Sequence, residues 1–204
     1  LVKNVHRDGV IERLPTNKLW QTRSTSAPGD TSAVEMASLE DPKFGGPAKP
    51  GDLPGPAANF RRDFKIEKSV ERARLYVTAL GAYRMFVNGS PTGTDVLTPE
   101  FTNYNKRIVY QTYDVTPLLQ NGVNVVAATL GDGWFGSGLG WDGERFYFMP
   151  GPTRLVAKLW VSYTDGSHDE IVTDGNWKAA ASAIRHSEIY AGEVYDARLE
   201  EMGW

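Results

Sequence analysis

The chain has 204 residues, 41% of them hydrophobic, and a formal net charge of -3, enough for one sizeable core and too acidic to offer nucleic acid a basic footprint. With no cysteine it has neither a disulfide framework nor a thiolate zinc site. No apolar run approaches the ~20 residues that cross a bilayer, and no basic start with an apolar core marks a signal peptide, so the chain reads as soluble, without membrane attachment and with its compartment open.

Twenty-one Gly and 12 Pro, many short alternating runs and no long segment of helical period point to an all-β protein, either a sandwich or a barrel. The chain starts at Leu1 rather than Met and stops at Gly203-Trp204, which reads as a piece of something longer.

Residues 1–58 lack sustained periodicity, and the stretch from Pro42 to Pro56 is dense in Pro and Gly. That makes an irregular leader or tether, with Leu14, Leu19 and Trp20 available to dock on the domain that follows. Residues 59–204 form that domain. Asn59 to Ile66 is expected to be an edge strand, turning Phe60, Phe64 and Ile66 to the core and Lys65 to solvent. Ala73 to Leu80 places Ala73, Leu75, Val77 and Ala79 on one apolar face. After Gly81, Tyr83, Met85 and Val87 alternate with Arg84 and Phe86, and Asn88-Gly89 supplies the positive φ of a tight hairpin turn.

Ser90 to Lys106 is a long loop carrying Thr102, Asn103, Tyr104 and Asn105. Ile108 to Val115 is rich in β-branched and aromatic residues and reads as the next strand. Thr116 and Pro117 look like the N-cap and first residue of a helical turn that Asn121-Gly122 ends. Val123 to Leu130 is a further strand, with Val125 and Ala127 expected inside. A second long loop, Gly131 to Pro152, holds Trp134, Phe135, Trp141, Phe146, Tyr147 and Phe148, and long aromatic loops of this kind are usually functional. Arg154 to Tyr163 points Leu155, Ala157, Leu159, Val161 and Tyr163 one way; Thr164 to Ser167 turns the chain back, and Trp177 plugs one end of the core. Ile184 to Trp204 concentrates Glu188, Tyr190, Glu193, Tyr195, Asp196 and Arg198.

Five segments, taken in order, carry a resemblance: Ala73-Arg-Leu-Tyr-Val-Thr-Ala-Leu-Gly81, Phe86-Val-Asn-Gly89, Tyr110-Gln-Thr-Tyr-Asp-Val-Thr116, Leu130-Gly-Asp-Gly-Trp134 and Gly192-Glu-Val-Tyr-Asp-Ala-Arg198. Together they resemble the N-terminal β-sandwich domain of bacterial α-L-rhamnosidases, glycoside hydrolase family 78, over roughly residues 59–204. The resemblance implies a jelly-roll-like antiparallel β-sandwich that is not itself catalytic. The acid and base of such enzymes lie in a separate helical (α/α)6 barrel, which would be this domain's partner within one polypeptide. Some related sandwich modules bind L-rhamnose through a calcium ion; that site is not matched residue by residue here.

The residues themselves leave several chemistries open. Trp134 and Trp141 could offer indole faces to the C–H face of a sugar, or could cap the core. Asn103 and Asn105 could pair with sugar hydroxyls or simply form turns. Asp132, Asp142 and Glu144 could give oxygens to calcium, but their spacing matches no dedicated calcium loop, and Asp132 between two glycines suits a turn. Asp132 and Glu193 join the carbohydrate-binding candidates. Glu188, Glu193 and Asp196 also invite a glycosidase reading, which needs two carboxyls ~5 to 9.5 Å apart. On a regular strand Glu193 and Asp196 diverge, so an ion pair with Arg198 is the simpler reading. His6, His168 and His186 have no metal-binding spacing and read as surface residues. The alternatives to an accessory domain are a stand-alone carbohydrate-binding module and a glycoside hydrolase in its own right.

Overall fold

Alternating side chains build this domain by committing each strand to one inner face. The computed structural model describes residues 55–137, 152–190 and 192–200, together with the backbone of four short strands in the leader: β1 (Val2–Val5), β2 (Ile11–Leu14), β3 (Trp20–Gln21) and β4 (Ala33–Val34). The domain proper begins with β5 (Ala58–Ile66), β6 (Val70–Leu80), β7 (Ala82–Val87) and β8 (Ser90–Pro91). It continues through β9 (Ile108–Val109), β10 (Gln111–Asp114), a 3-10 turn at Thr116–Leu118, β11 (Gly122–Gly131) and the single helical turn α1 (Gly133–Gly136). β12 (Arg154–Tyr163), β13 (His168–Val172), β14 (Lys178–Ala181), β15 (Ile184–Glu188) and β16 (Gly192–Tyr195) follow, with a last 3-10 turn at Ala197–Leu199.

Two antiparallel sheets carry the core: β14-β5-β11-β7-β8 and β10-β6-β12-β13. Ala73, Leu75, Val77 and Ala79 of β6 and Leu155, Ala157, Leu159, Val161 and Tyr163 of β12 are buried, as the period-two reading requires, and they meet Phe60, Ile66, Met85, Val87, Val126 and Leu130 of the other sheet. Removing one such leucine to alanine costs about 2–5 kcal/mol, so this layer alone fixes which faces point inward. Asn88 (φ 50°) and Gly89 (φ 79°) form the two-residue turn that joins β7 to β8. Trp177 closes one end of the core and donates its indole N–H to the Val172 carbonyl at 2.8 Å.

Three expectations are corrected. β5 is not an edge strand, because β14 pairs along its outer side through Lys178↔Arg61 to Ala181↔Ala58 while β11 pairs along the other. On β11 the buried residues are Asn124, Val126, Ala128 and Leu130, and Val125 and Ala127 lie on the half-exposed face. Both faces of that strand are apolar in sequence, so hydrophobicity cannot choose between them; a polar residue does. Fully buried Asn124 accepts hydrogen bonds at Oδ1 from Asn88 Nδ2 (2.8 Å) and the Gln120 N–H (2.9 Å), and donates to the carbonyls of Gln120 (2.7 Å) and Gly122 (3.0 Å). Last, Thr116 is the first residue of its 3-10 turn and Val115 the N-cap, because the Thr116 hydroxyl is engaged across the sheet, accepting from the Ala73 N–H at 2.8 Å.

Candidate functional site

The end of the sandwich that carries the long loops is organised by a corner. β6 belongs to the four-stranded sheet and β7 to the five-stranded sheet, and a single residue, Gly81 (φ 138°), passes the chain between them. A Cβ there would sit 2.6 Å from the Gly131 carbonyl oxygen, so the close approach needs glycine. Gly133 (φ 52°) makes the matching demand on the other side, where a Cβ would lie 2.6 Å from the Ala82 Cβ. These two glycines seat α1 directly on the corner.

Seating α1 this way aims Trp134 and Phe135 at the 90–106 loop. Phe135 meets Tyr104 edge-on, with ring centroids 5.4 Å apart, and Trp134 meets Phe101 at 5.7 Å; Phe101 and Tyr104 are themselves 6.0 Å apart. Tyr104, Ile108 and Phe135 are buried in a satellite cluster, with Leu80 and Trp134 partly buried against it. The 90–106 loop therefore meets α1, at the start of the second long loop, through four aromatic rings. Phe101, 55% exposed, leaves apolar surface open beside that cluster, and Val96, 81% exposed, lies on the same loop.

What holds the 90–106 loop is Tyr83. Its backbone N–H donates to the Thr98 carbonyl (3.0 Å), and its own carbonyl accepts from the Thr98 hydroxyl (3.0 Å). Its phenol donates to Gln111 Oε1 (2.7 Å) and contacts the Tyr113 hydroxyl (3.2 Å). Burial pushes the Tyr83 phenol well above the ordinary tyrosine range, and the neighbouring Tyr113 adds to the effect; burial raises Tyr113 as well and holds Tyr104 at about 12. None of the three ionises at neutral pH, so they act here as fixed hydrogen-bonding and packing groups. Leu97 (φ 56°) and Glu100 (φ 87°) adopt the left-handed region in this loop, a conformation that the Thr98 bonds help to impose.

The candidates named from sequence divide clearly. Trp134 stands at the convergence point, half buried. Asn103 and Asn105 flank Tyr104 and are exposed, and the Asn103 carbonyl closes the loop by accepting from the N–H groups of Lys106 and Arg107, both at 2.8 Å. Asp132 is buried at the start of α1, where its carbonyl accepts from the Gly136 N–H (2.8 Å); its side chain caps no helical N–H. Glu193 is on β16, exposed and paired with Ser187. Asp196 forms an ion pair with Arg198 (2.7 Å), which holds its carboxyl below the usual range. Trp141, Asp142 and Glu144 lie outside the described residues. Among the described residues no group of three or more His, Asp or Glu is placed to hold a metal ion. His168 is exposed and stacks on Trp160 at 4.1 Å.

Sequence reading did not single out Phe101, which sits two residues after Pro99 in a polar loop; a loop aromatic shortly after a proline was the signal available. Nor did it single out Tyr83 as the anchor of that loop, since an alternating tyrosine looks like any core residue.

The family described as the α-L-rhamnosidase N-terminal domain matches residues 68–204. An α-L-rhamnosidase of Streptomyces avermitilis is 43% identical over 150 residues, which is 72% of this chain and 14% of that protein. One of Formosa agariphila is 40% identical over 146 residues, covering 71% and 16% respectively. Among solved structures, the native α-L-rhamnosidase of Aspergillus terreus superposes with a TM-score of 0.72 at 40% identity, covering 75% of this chain and 18% of that one. The Streptomyces avermitilis α-L-rhamnosidase complexed with L-rhamnose gives 0.69 at 41% identity, covering 74% and 15%. The chain thus spans less than a fifth of the length of each of these relatives. The matched residues contain every strand of the two core sheets except β5, and the chain belongs to the family of α-L-rhamnosidase N-terminal domains.

Proposed function

We propose that this chain is a non-catalytic accessory domain of an α-L-rhamnosidase, and that the loop end of the sandwich packs against the part of the enzyme that holds the catalytic acid and base, an (α/α)6 barrel by resemblance. The observation that carries the reading is exposed Phe101 packed edge-on against Trp134, with Val96 and Leu97 also exposed on the same loop. Exposed apolar side chains grouped in this way mark a contact surface more often than a free one. Its described carboxylates support the reading too: Asp196 is paired with Arg198, and Glu193 stands exposed on β16 with Ser187 as its cross-strand partner. The purified chain should release no rhamnose from an aryl α-L-rhamnoside; turnover abolished by Glu193→Gln would overturn the assignment.

A second reading has its own observation. Phe101 and Trp134 present rings beside the exposed amides of Asn103 and Asn105, a combination that suits a shallow sugar site. Calorimetric titration with L-rhamnose, with and without calcium, separates the two. Millimolar or tighter binding that disappears in Trp134→Ala or Trp141→Ala would favour a rhamnose-binding module, and no heat in either condition leaves the packing role.

A further inference from the structure

A second surface with exposed apolar side chains borders α1, at β15 and β16. β15 and β16 form a separate two-stranded ribbon, joined to the sandwich where the Ile189 N–H donates to the Ser137 hydroxyl at the end of α1 (3.2 Å). Every residue of β16 is exposed. Val194 and Tyr195 point to opposite faces of the ribbon, yet both stand open, at 56% and 48%, and Tyr190 at the turn is 72% exposed. Leu199, just after the ribbon, is exposed as well. Among the described residues β16 pairs with β15 alone, so alternate N–H and C=O groups along its outer edge have no described strand beside them.

A two-stranded ribbon is marginal in water without further packing. This one has one apolar side chain open on each face, Val194 and Tyr195, among the charged groups of Arg185, Glu188 and Glu193, and among the described residues it has no strand along its outer edge, where natural domains usually place charge, proline or cover. Glu193 is the only charged residue on β16, and the strand contains no proline.

We infer that the β15–β16 ribbon is a docking arm, and that its occupant is the remainder of the parent α-L-rhamnosidase polypeptide, which adds a strand or a helix along β16 and covers Tyr190, Val194, Tyr195 and Leu199. This rests on the accessory-domain reading above and extends it from the loop end to a second, separately testable surface. The relatives fix the kind of occupant: each is more than five times as long as the stretch matched here, so the ribbon has most of a polypeptide in cis available to cover it. Its position points the same way, because the ribbon is bonded to the end of α1 through Ile189 and Ser137 while Trp134 of α1 meets Phe101, so both surfaces border one element. Recognition would combine apolar contact with main-chain hydrogen bonds along an extended edge.

Hydrogen exchange read by mass spectrometry, on this chain alone and on the parent enzyme, tests the arm. Amides of residues 192–199 should exchange about tenfold or more slowly in the parent, and Val194→Asp with Tyr195→Asp in the parent should abolish that difference while residues 155–163 keep their protection. Slowing at 96–101 and 134 without slowing at 192–199 would overturn the arm and leave the accessory reading standing; slowing at neither would overturn both. Sedimentation of the isolated chain covers the remaining occupant, since a dimer that the same two substitutions dissociate would assign the ribbon to a second copy and overturn the proposal.

Discussion

The hydroxyl of Tyr83, on β7, lies 3.2 Å from the hydroxyl of Tyr113, on β10, and so joins the two sheets by a hydrogen bond between buried phenols. With the Tyr83 proton directed to Gln111 Oε1 at 2.7 Å, Tyr113 is the donor in the pair. Tyr83→Phe should destabilise the domain by about 1–3 kcal/mol, because it leaves buried partners unsatisfied. A double-mutant cycle with Tyr113→Phe in urea should show a coupling of about 0.5 kcal/mol or more; simple additivity would mean that the contact contributes nothing.

The same burial makes the domain sensitive to alkali. Phenols held above their ordinary range favour the folded state while they stay protonated, so their contribution is complete below the unfolded value of about 10 and is lost as the pH rises. For Tyr104 that loss runs between about pH 10 and about 12. Stability measured by denaturant should therefore fall through that interval, and absorbance at alkaline pH should show a group of tyrosines that ionise only on unfolding. Smooth titration of all the tyrosines near pH 10 would contradict this.

Asn124 is the residue that sets the register of β11. Asn124→Leu would fill the site but leave the Asn88 amide, the Gln120 N–H and two carbonyls without that partner. The expected cost is about 2–4 kcal/mol, accompanied by loosening of the β7–β8 turn visible as faster amide exchange at Ser90. A substitution that left stability unchanged would show that packing alone chooses the face.

Lys158 and Glu170 form an ion pair at 2.7 Å on the outer face of the four-stranded sheet, with both side chains largely shielded from water. Glu170→Gln should cost about 3 kcal/mol, since it strands a shielded ammonium. Lys158→Met combined with Glu170→Leu should recover most of that loss; thermal melts of the two variants decide it.

Gly133→Ala should displace α1, because the added carbon would press on Ala82 and the residue already has a positive φ. A loss of about 2 kcal/mol or more is expected. The near-ultraviolet signal of Trp134 should change with it, which distinguishes displacement of the loop from general destabilisation.

Strand existence was legible where one face alone was apolar, as on β6, β7 and β12, and there the buried residues fall where alternation puts them. The strand itself was legible on β11 as well, but its inward face was not, because Val123, Val125, Val126 and Ala127 make both faces acceptable and the decision passes to Asn124, one of whose partners, Asn88, is distant in sequence. The edge assignment of β5 failed for a related reason: no local feature of residues 58–66 reports that Lys178–Ala181 will pair with it. At the loop end, Trp134 was visible as an aromatic following a strand and two glycines, but its meeting with Phe101 depends on the seating of α1 at the corner.

The pairing of β5 has a consequence for synthesis. β5 is made before both of its neighbours, β11 and β14, and β6 likewise waits for β10 and β12. As the chain leaves the ribosome, Phe60, Ile66 and Leu75 are thus exposed on strands with nothing to pair with, and none of the main sheet contacts of β5 can form until distant segments arrive. Refolding should be slow for a domain of this size, and a chain truncated before Lys178 should aggregate instead of populating a smaller folded unit, because it leaves the full outer edge of β5 open.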